Sequence, residues 1–343
     1  MGYKTILSME KIKFWGGLPK YRLIIESVLD QVQRGVLKTG DMLPSINDMR
    51  QDYHLSRETI LKAYNELKNK GIIYSTPGKG YYISSTSINI QKKVLVIFDE
   101  LTDYKQSLLE SLTEQLKEFA AHEIVFHHHN QALFKSFLEG YKDEYPYFII
   151  VLPLYPGASK ELQLISTKKI YIIDHAPTEI MKNYPGVYQD FREDIYRGLK
   201  HGVEYLRKYK DVVFLYRKKS YIVSRLMDGF NAFCNDFSIQ GKISGEGETC
   251  PIQKDSLYVI VDNEDLICTV KKIMQMNLKP GKDVGIISYN ETPLKEIIAN
   301  GLATISTDFG KMGATVARDL QENAEKTVIN PSRLVIRGSM LRE

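Results

Sequence analysis

The first quarter of the chain carries an apolar stripe at helical spacing. From Pro19 onward, hydrophobic side chains recur three, four, seven and eight positions apart, which is the spacing of one helix face. Gly35 and Gly40 follow the stripe and supply stop signals. The pattern predicts a helix that buries one face, formed by Tyr21, Ile24, Ile25, Val28, Leu29 and Val32.

Two more helices with capped starts follow in close succession. Ser45 precedes the second helix, and Asp48 stands three residues later as its capping-box partner. Ser56 opens the third helix after the short break "YHLS". A face of apolar side chains is expected to pack the third helix into the core: Ile60, Ala63, Tyr64 and Leu67.

A basic-tipped hairpin is expected after the three helices. Two apolar, β-rich runs at residues 72–74 and 81–83 flank the turn "TPGKG" at residues 76–80. Three helices followed by such a hairpin make a winged helix-turn-helix, expected over residues 1–83.

The remainder alternates between strand and helix patterns. The polar, serine-rich stretch at residues 84–91 is expected to be a linker. Eight or nine β-rich runs with helices between them predict an α/β domain of parallel, covered sheets over residues 92–343. About 250 residues favour two lobes over one sheet. Lobe 1 is expected at 92–208 and 307–325, and lobe 2 at 211–304 and 328–343.

Charge distinguishes the two regions. Residues 1–85 hold 13 Lys and Arg against 8 Asp and Glu, a net charge of +5, whereas residues 86–343 hold 33 against 34, a net charge of −1. The excess positive charge therefore lies on the predicted winged helix, which favours a polyanionic partner there.

Several classes of protein are not expected. No apolar run approaches the ~18 residues of a membrane span, and the N-terminus lacks the pattern of a signal peptide. Three cysteines without C-x-x-C spacing argue against disulfides and zinc, which favours the cytoplasm. No enzyme motif is present, so neither an enzyme nor a cofactor is expected. The run His127–His129 is not expected to bind a metal, because only alternate residues of a strand share a face, and it is interpreted as a polar strand end.

The short break before Ser56 sets the second and third helices at a steep angle, so that the third helix could enter a DNA major groove. Its N-terminus presents free N–H groups to phosphate, and Arg57 can donate to guanine or to phosphate. Lys79 at the wing tip would reach the backbone or the minor groove. The alternative is a protein-docking module whose charges are merely solvated.

Residues 18–83 resemble the GntR-family winged helix. The matching segments are "LPKYRLI", "GVLKTGDMLPS", "LSRETI", "AYNEL", "GII" and "GKGYY", in the family's order and spacing. Leu61 stands where many members carry a second Arg, and Lys62 beside it is the candidate to replace that contact. The resemblance implies DNA contacts by Ser45, Ser56, Arg57, Glu58, Thr59 and Lys62, with the wing at Lys79 and Gly80.

Polar residues follow several predicted strands of the second region. In open parallel sheets, ligands bind outside the carboxyl ends of the strands, and carboxylates and amides suit sugar hydroxyls. Strand ends are also polar for the simple reason that chains leave the sheet into solvent. The candidates on this ground are Asp99, Asp174, His175, Asp262, Asn263, Tyr289 and Asn290.

Residues 93–343 resemble the LacI-type effector domain, most strongly in "KPGKDVGIISYNETPLKEIIANGLATISTDFGKMGATVARDL" and "LVIRGSM". The related segments "YVIVDNEDLICTVKKI" and "RLMDGFNAF" lie before them. The resemblance implies a sugar between two lobes. Its effector contacts are Asp99, Tyr104, Asp190, Arg225, Asp262, Asn263 and Asn290.

Together the two resemblances predict an AraR-type regulator of carbohydrate utilisation. A sugar, by analogy a pentose or a 6-deoxyhexose, is expected to reset a homodimer of winged helices on operator DNA. Neither a metal nor a membrane is expected as a partner. Two alternatives are a GntR-type fusion with an aminotransferase-like domain and a ligand-independent DNA-binding or docking module.

Overall fold

The structure is a computed structural model that describes residues 19–84, 92–245 and 252–342. It divides into two compact units: the first runs to Lys93 and also includes Ile165–Lys169, and the second comprises Val94–Leu164 and the chain from Ile170 onward. Most of the predicted linker at 84–91 and the first 18 residues of the predicted DNA-binding domain lie outside the described residues. Within the described ranges, no helix is long and apolar enough to cross a membrane.

The first unit is a winged helix-turn-helix, as the periodicity predicts. Its core contains the predicted stripe of the first helix and the predicted face of the third, including Ile24, Val28, Ile60 and Tyr64. The hairpin pairs antiparallel, with Ile73 opposite Ile83. The elements are α1 (Lys20–Gln33), α2 (Ile46–Tyr53), α3 (Arg57–Asn69), β1 (Ile73–Thr76) and β2 (Gly80–Ile83).

The second unit is an α/β domain with two six-stranded sheets. Its first part comprises β3 (Lys92–Phe98), α4 (Gln106–Lys117), β4 (Ala120–Phe126), α5 (Gln131–Tyr141), β5 (Tyr147–Ile150), β6 (Lys169–Asp174), α6 (Thr178–Asn183), β7 (Gly186–Tyr188), α7 (Phe191–His201), α8 (Val203–Leu206) and β8 (Asp211–Leu215). The rest comprises α9 (Tyr221–Phe237), β9 (Gly241–Ser244), β10 (Ser256–Ile260), α10 (Asn263–Gln275), β11 (Gly285–Tyr289), β12 (Ala303–Thr307), α11 (Phe309–Gln321), β13 (Thr327–Ile329) and β14 (Ser332–Val335). Short 3-10 helices lie at Ala158–Ile165, Pro293–Glu296 and Gly338–Met340.

The strand order defines the two lobes. The first lobe has the order β13-β7-β6-β5-β3-β4 and the second β14-β12-β11-β10-β8-β9. The second sheet is parallel except at β14, which pairs antiparallel with β12. The inner strands of both sheets are almost wholly buried, as expected for sheets covered on both faces, whereas the edge strands β4, β9, β13 and β14 are largely half-buried or exposed.

Two of the expected lobe boundaries are wrong. Residues 191–206 are expected in the first lobe, yet Phe191, Ile195 and Leu199 pack into the core of the second. Conversely, β13 was largely assigned to the second lobe, but it pairs with β7 in the first sheet. The apolar face of a helix shows that it packs on a sheet, and its period does not show on which one.

Helix α7 crosses α9 at a point that has no room for a side chain. A Cβ at Gly229 of α9 would overlap the carbonyl oxygen of Arg192 and the side chain of Ile195. Since the first obstacle is backbone, α7 itself would have to move. In contrast, Gly140 in α5 has no other atom within 4 Å of such a Cβ.

We predict that Gly229→Ala lowers the free energy of unfolding of the second unit by about 2 kcal/mol or more, because overpacking outweighs the higher helix propensity of alanine. The matched change Gly140→Ala should stabilise by up to ~1 kcal/mol. Urea unfolding followed by circular dichroism measures both. Equal behaviour of the two variants would show that the α7–α9 crossing is looser than described.

Candidate functional site

A buried lysine joins the ends of two strands in the first lobe. The Lys105 ammonium donates to Asp99 Oδ2 at 2.5 Å and lies 2.9 Å from Asp174 Oδ2. Asp99 directly follows β3, and Asp174 ends β6 with a positive φ of 74°. All three side chains are about 95% buried or more. Lys105 therefore spans β5, which lies between these two strands.

The ion pairs fix the charge states of this cluster. Burial alone would lower the pKa of Lys105, but the charges of Asp174 and Asp99 outweigh it and raise that pKa above its ordinary value. Burial likewise works to raise the pKa of Asp174, and Lys105 reverses this, holding the pKa well below its usual range. One buried cation thus faces two carboxylates, so these carboxylates can still accept hydrogen bonds from the donors of a ligand.

Asp174 is also the centre of a polar network with unused atoms. Gln189 Nε2 donates to Asp174 Oδ1, and His175 Nδ1 lies 3.4 Å from Oδ2. His175 Nε2 and Gln189 Oε1 are buried and have no hydrogen-bond partner among the described residues. A buried polar atom without a partner is costly, so these atoms are places where a bound hydroxyl would contribute.

A metal ion does not fit this cluster as folded. Asp99, Asp174 and His175 each offer a ligand atom within 4.8 Å of the others. However, the Lys105 ammonium is bonded to both carboxylates and occupies the position where a cation would balance them. Lys105 therefore already supplies the positive charge that a metal ion would bring to Asp99 and Asp174.

The three consecutive histidines form a turn and not the predicted strand end. Strand β4 stops at Phe126, and His128 and His129 have φ of 47° and 54°. His127 is buried, with Nε2 2.9 Å from the carbonyl oxygen of Val151, and burial lowers its pKa to about 4. A neutral His127 therefore anchors the turn to the end of β5, while His129 Nε2 lies 3.9 Å from Asp99.

A cavity of about 230 Å³ opens beside this network. Its first-lobe wall is the loop after β5, residues 152–159, together with His175 and Pro177. The second lobe contributes Tyr221, the first residue of α9. Tyr155 and Tyr221 supply aromatic rings that sequence reasoning missed, because neither follows a strand directly.

Two more predicted effector residues, Tyr104 and Tyr289, do not line the cavity. The Tyr104 ring packs 5.2 Å from that of Phe309. Tyr289, in the second lobe, is buried with no hydrogen-bond partner for its hydroxyl among the described residues. Burial, followed by the charges of Asp194 and Asp174, raises its pKa. Asp194 is itself a buried carboxyl, and burial raises its pKa to about 7.

Of the remaining candidates, Asp190, Arg225 and Asp262 have local partners, whereas Asn290 has a buried side-chain oxygen without one among the described residues. Asp190 caps α7 by accepting from the N–H of Glu193 at 3.2 Å. Arg225 pairs with Asp228 at 3.3 Å on the same helix. Asp262 accepts from the Arg217 N–H at 3.0 Å, Asn263 opens α10 in an exposed position, and Asn290 has a φ of 62° with its side-chain oxygen buried and unpartnered.

In the winged helix, a second cavity of about 420 Å³ is lined by some of the residues predicted to contact DNA. Ser45, Arg57 and Gly80 come together there from the starts of α2, α3 and β2. Lys79 lies exposed in the adjacent wing turn. The sequence interpretation missed the other lining residues, which are Ile46, Asn47, Arg50 and Tyr81.

Several predicted DNA contacts also cap helices. Ser45 and Asp48 form a complete capping box at α2. Ser56 accepts from the Thr59 N–H at 3.2 Å and shares a hydrogen bond of 2.9 Å with the Thr59 hydroxyl. Backbone and Ser56 hydrogen bonds lower the pKa of Glu58, so this first-turn residue is a carboxylate.

Lys62 does not line this cavity. Its ammonium lies 4.1 Å above the centre of the Tyr21 ring of α1. Five helical positions separate Lys62 from Arg57, which turns the two side chains by about 140° around the helix axis. A cation–π contact thus joins α3 to α1, and the contact of Lys62 with DNA stays a prediction.

The comparisons with known proteins identify the family. The family model described as bacterial regulatory proteins, gntR family, matches residues 20–83. The repressor YtrA of Bacillus subtilis is 32% identical over 111 residues, which are 30% of this chain and 85% of YtrA. The chain therefore belongs to the GntR family. It covers only 35% of another relative, the mannosyl-D-glycerate system repressor MngR of Escherichia coli, at 34% identity.

Solved structures show the fold of the remaining residues. A LacI-type regulator of Alkaliphilus metalliredigens, complexed with D-xylulofuranose, superposes with a TM-score of 0.57 at 10% identity, covering 73% of this chain and all of that one. The lac repressor dimer bound to operator and an anti-inducer superposes with a TM-score of 0.60 at 14% identity, over 73% and 94%. This is thus a transcriptional regulator of GntR type with a LacI-type fold after the winged helix, and the aminotransferase-like alternative is wrong.

We predict that Lys105→Met lowers the free energy of unfolding by about 3 kcal/mol at neutral pH, because two buried carboxylates lose their cation. The pKa of Asp174 is depressed in the folded state, so its stabilisation is present above the ordinary pKa of about 4 and is lost below it. The deficit of the variant should therefore shrink as the pH falls below about 4.

Urea unfolding at several pH values measures this deficit. Lys117→Met, an exposed lysine in the last turn of the same helix, is the control and should change stability by no more than about 0.5 kcal/mol. A deficit for Lys105→Met that is small, or that does not depend on pH, would contradict the assigned role.

Proposed function

We propose that this protein is a sugar-responsive regulator of carbohydrate utilisation genes. The observation that carries the proposal is the cavity between the lobes, where two tyrosines and His175 border a buried, partly unsatisfied polar network. At about 230 Å³ it is smaller than most pockets for drug-sized ligands, which suits a single sugar ring. A pentose or a 6-deoxyhexose remains the proposed effector class.

The chemistry of the cavity fits a neutral polyol. Aromatic rings cover the C–H faces of a sugar, while imidazole and carboxylate groups exchange hydrogen bonds with its hydroxyls. Tyr155 and Tyr221 supply the rings, one from each lobe. His175 borders the cavity, and its Nε2 is buried without a partner among the described residues, which a ligand hydroxyl would supply.

Regulation requires two conformations that bind the sugar with different affinities. A sugar held between Tyr155 and Tyr221 binds both lobes and therefore favours the closed arrangement over the open one. The shift can be no larger than the difference in affinity for the two states, typically about 1–3 kcal/mol. In a dimer, such a closure would alter the spacing of two winged helices against two half-sites.

A homodimer is supported by apolar side chains left exposed on the second lobe. Helix α10 and the segment after β11 cover the same side of the second sheet. On their outer surface, Met274 is 69% exposed and Ile297 is 79% exposed, with Ile267 and Leu294 also in solvent. Exposed apolar patches of this kind mark protein interfaces, and we propose a second copy of the chain as the occupant.

We predict that a binding monosaccharide raises the melting temperature of the full-length protein, since a ligand at 100 times its Kd adds about 2.7 kcal/mol of stability. His175→Ala should weaken that sugar about tenfold while the protein stays folded. His201→Ala removes an exposed histidine at the end of α7 and should bind like the unchanged protein. Thermal-shift titrations over a panel of pentoses and 6-deoxyhexoses measure both effects.

Two results would argue against the effector site. If no sugar in a broad panel changes the melting temperature, a ligand-independent module becomes the better account. If sugars bind but His175→Ala binds them equally well, the cavity is not where the effector lies.

We predict that Arg57→Ala weakens binding to a duplex selected by the protein by about 1–3 kcal/mol, because we propose that Arg57, in the first turn of α3, donates to a base edge. Binding to a duplex of unrelated sequence should fall less. Fluorescence anisotropy with both duplexes gives the comparison, and unchanged discrimination between them would remove Arg57 from the base-reading set.

A further inference from the structure

Arg50 is the second guanidinium of the cavity on the winged helix. It lies exposed in the last turn of α2, whereas Arg57 is the first residue of α3. Both side chains line the same cavity of about 420 Å³. Within the described residues 19–84, neither guanidinium forms an ion pair with a carboxylate. Two positive groups thus share a concave surface from different helices.

The acidic groups nearby do not neutralise this surface. Asp48 is engaged in the capping box with Ser45. The charges of Arg50 and Arg57 contribute to the lowered pKa of Glu58, after its hydrogen bonds with its own backbone and with Ser56, so both arginines lie within electrostatic range of it. Glu58 is exposed and hydrogen-bonded within its own helix turn, which leaves the two guanidinium groups free to meet an anion.

The position of α2 decides which part of DNA the cavity would meet. In a helix-turn-helix, the second helix enters the major groove and the first crosses the sugar-phosphate backbone. Helix α2 is that first helix, and α3 holds one arginine, Arg57, at its start. Arg50 is therefore on the element that faces the backbone, and Asn47 and Ser45 add amide and hydroxyl donors beside it.

We infer that Arg50, together with Asn47 and Ser45, seats a DNA backbone phosphate in this cavity, while Arg57 at its edge reads a base. The inference rests on the proposed DNA-binding function and adds a contact that fixes the register of α3 in the groove. Phosphate contacts set position and bases set specificity, so Arg50 contributes affinity that is independent of sequence.

The test uses the full-length protein and two probes, a duplex selected from a random library by the unchanged protein and a duplex of equal length with unrelated sequence. Arg50→Ala should weaken binding to both duplexes by about threefold to tenfold and reduce the slope of log affinity against log salt by about one. Arg50→Lys should restore most of this loss, since phosphate accepts a point charge.

Arg34→Ala is the matched control. Arg34 is an exposed arginine after α1, paired with Asp30 at 2.8 Å, and does not line the cavity. It should leave affinity and salt slope unchanged. Circular dichroism and melting temperature establish that each variant is folded as the unchanged protein is.

Two outcomes would overturn the inference and leave the proposed DNA-binding function standing, and a third would overturn both. If Arg50→Ala keeps its affinity and salt slope while Arg57→Ala loses discrimination, Arg50 makes no contact and DNA binding stands. A loss on the selected duplex alone, not restored by Arg50→Lys, would make Arg50 a base reader. If the unchanged protein binds neither duplex, the proposed function fails as well.

Discussion

The ammonium group of Lys105 holds together the carboxyl-end edge of the first sheet, beside the cavity. It bonds to the residue after β3 and to the last residue of β6, with β5 between them. The loop that leaves β5 then forms the wall of the cavity. Asp174, fixed from one side by Lys105, in turn orients His175 and Gln189. The polar groups that would meet a ligand are thus positioned by one buried charge.

The same arrangement supports the proposal of a hydroxylated ligand rather than an ion. A lone buried carboxylate would shift its pKa and become neutral, but a carboxylate paired with lysine remains a strong acceptor at neutral pH. The orphan atoms of His175 and Gln189 lie around that acceptor. Burying them without partners costs stability, and a ligand with several hydroxyls recovers part of that cost on binding.

The sequence was sufficient for the elements but not for all their partners. Helical periodicity located the core of the winged helix, and the rule for carboxyl ends of parallel strands brought forward Asp99, Asp174 and His175. The sequence could not reveal the role of Lys105, because a lysine at the start of a helix cannot be distinguished from an ordinary surface residue until its burial is known. Tyr155 and Tyr221 lie in a loop and at a helix start, where no periodicity applies. Helix α7 was placed in the wrong lobe because amphipathicity does not identify the sheet it covers.

The account's central claim is that a sugar between the lobes changes how tightly the winged helices hold DNA. The most direct measurement is the affinity of the full-length protein for its selected duplex, with and without a saturating monosaccharide that binds it. The account predicts a change of about 5-fold to 150-fold, with the reciprocal change in sugar affinity when DNA is bound. Equal DNA affinity at saturating sugar would contradict it, even if the sugar occupies the cavity.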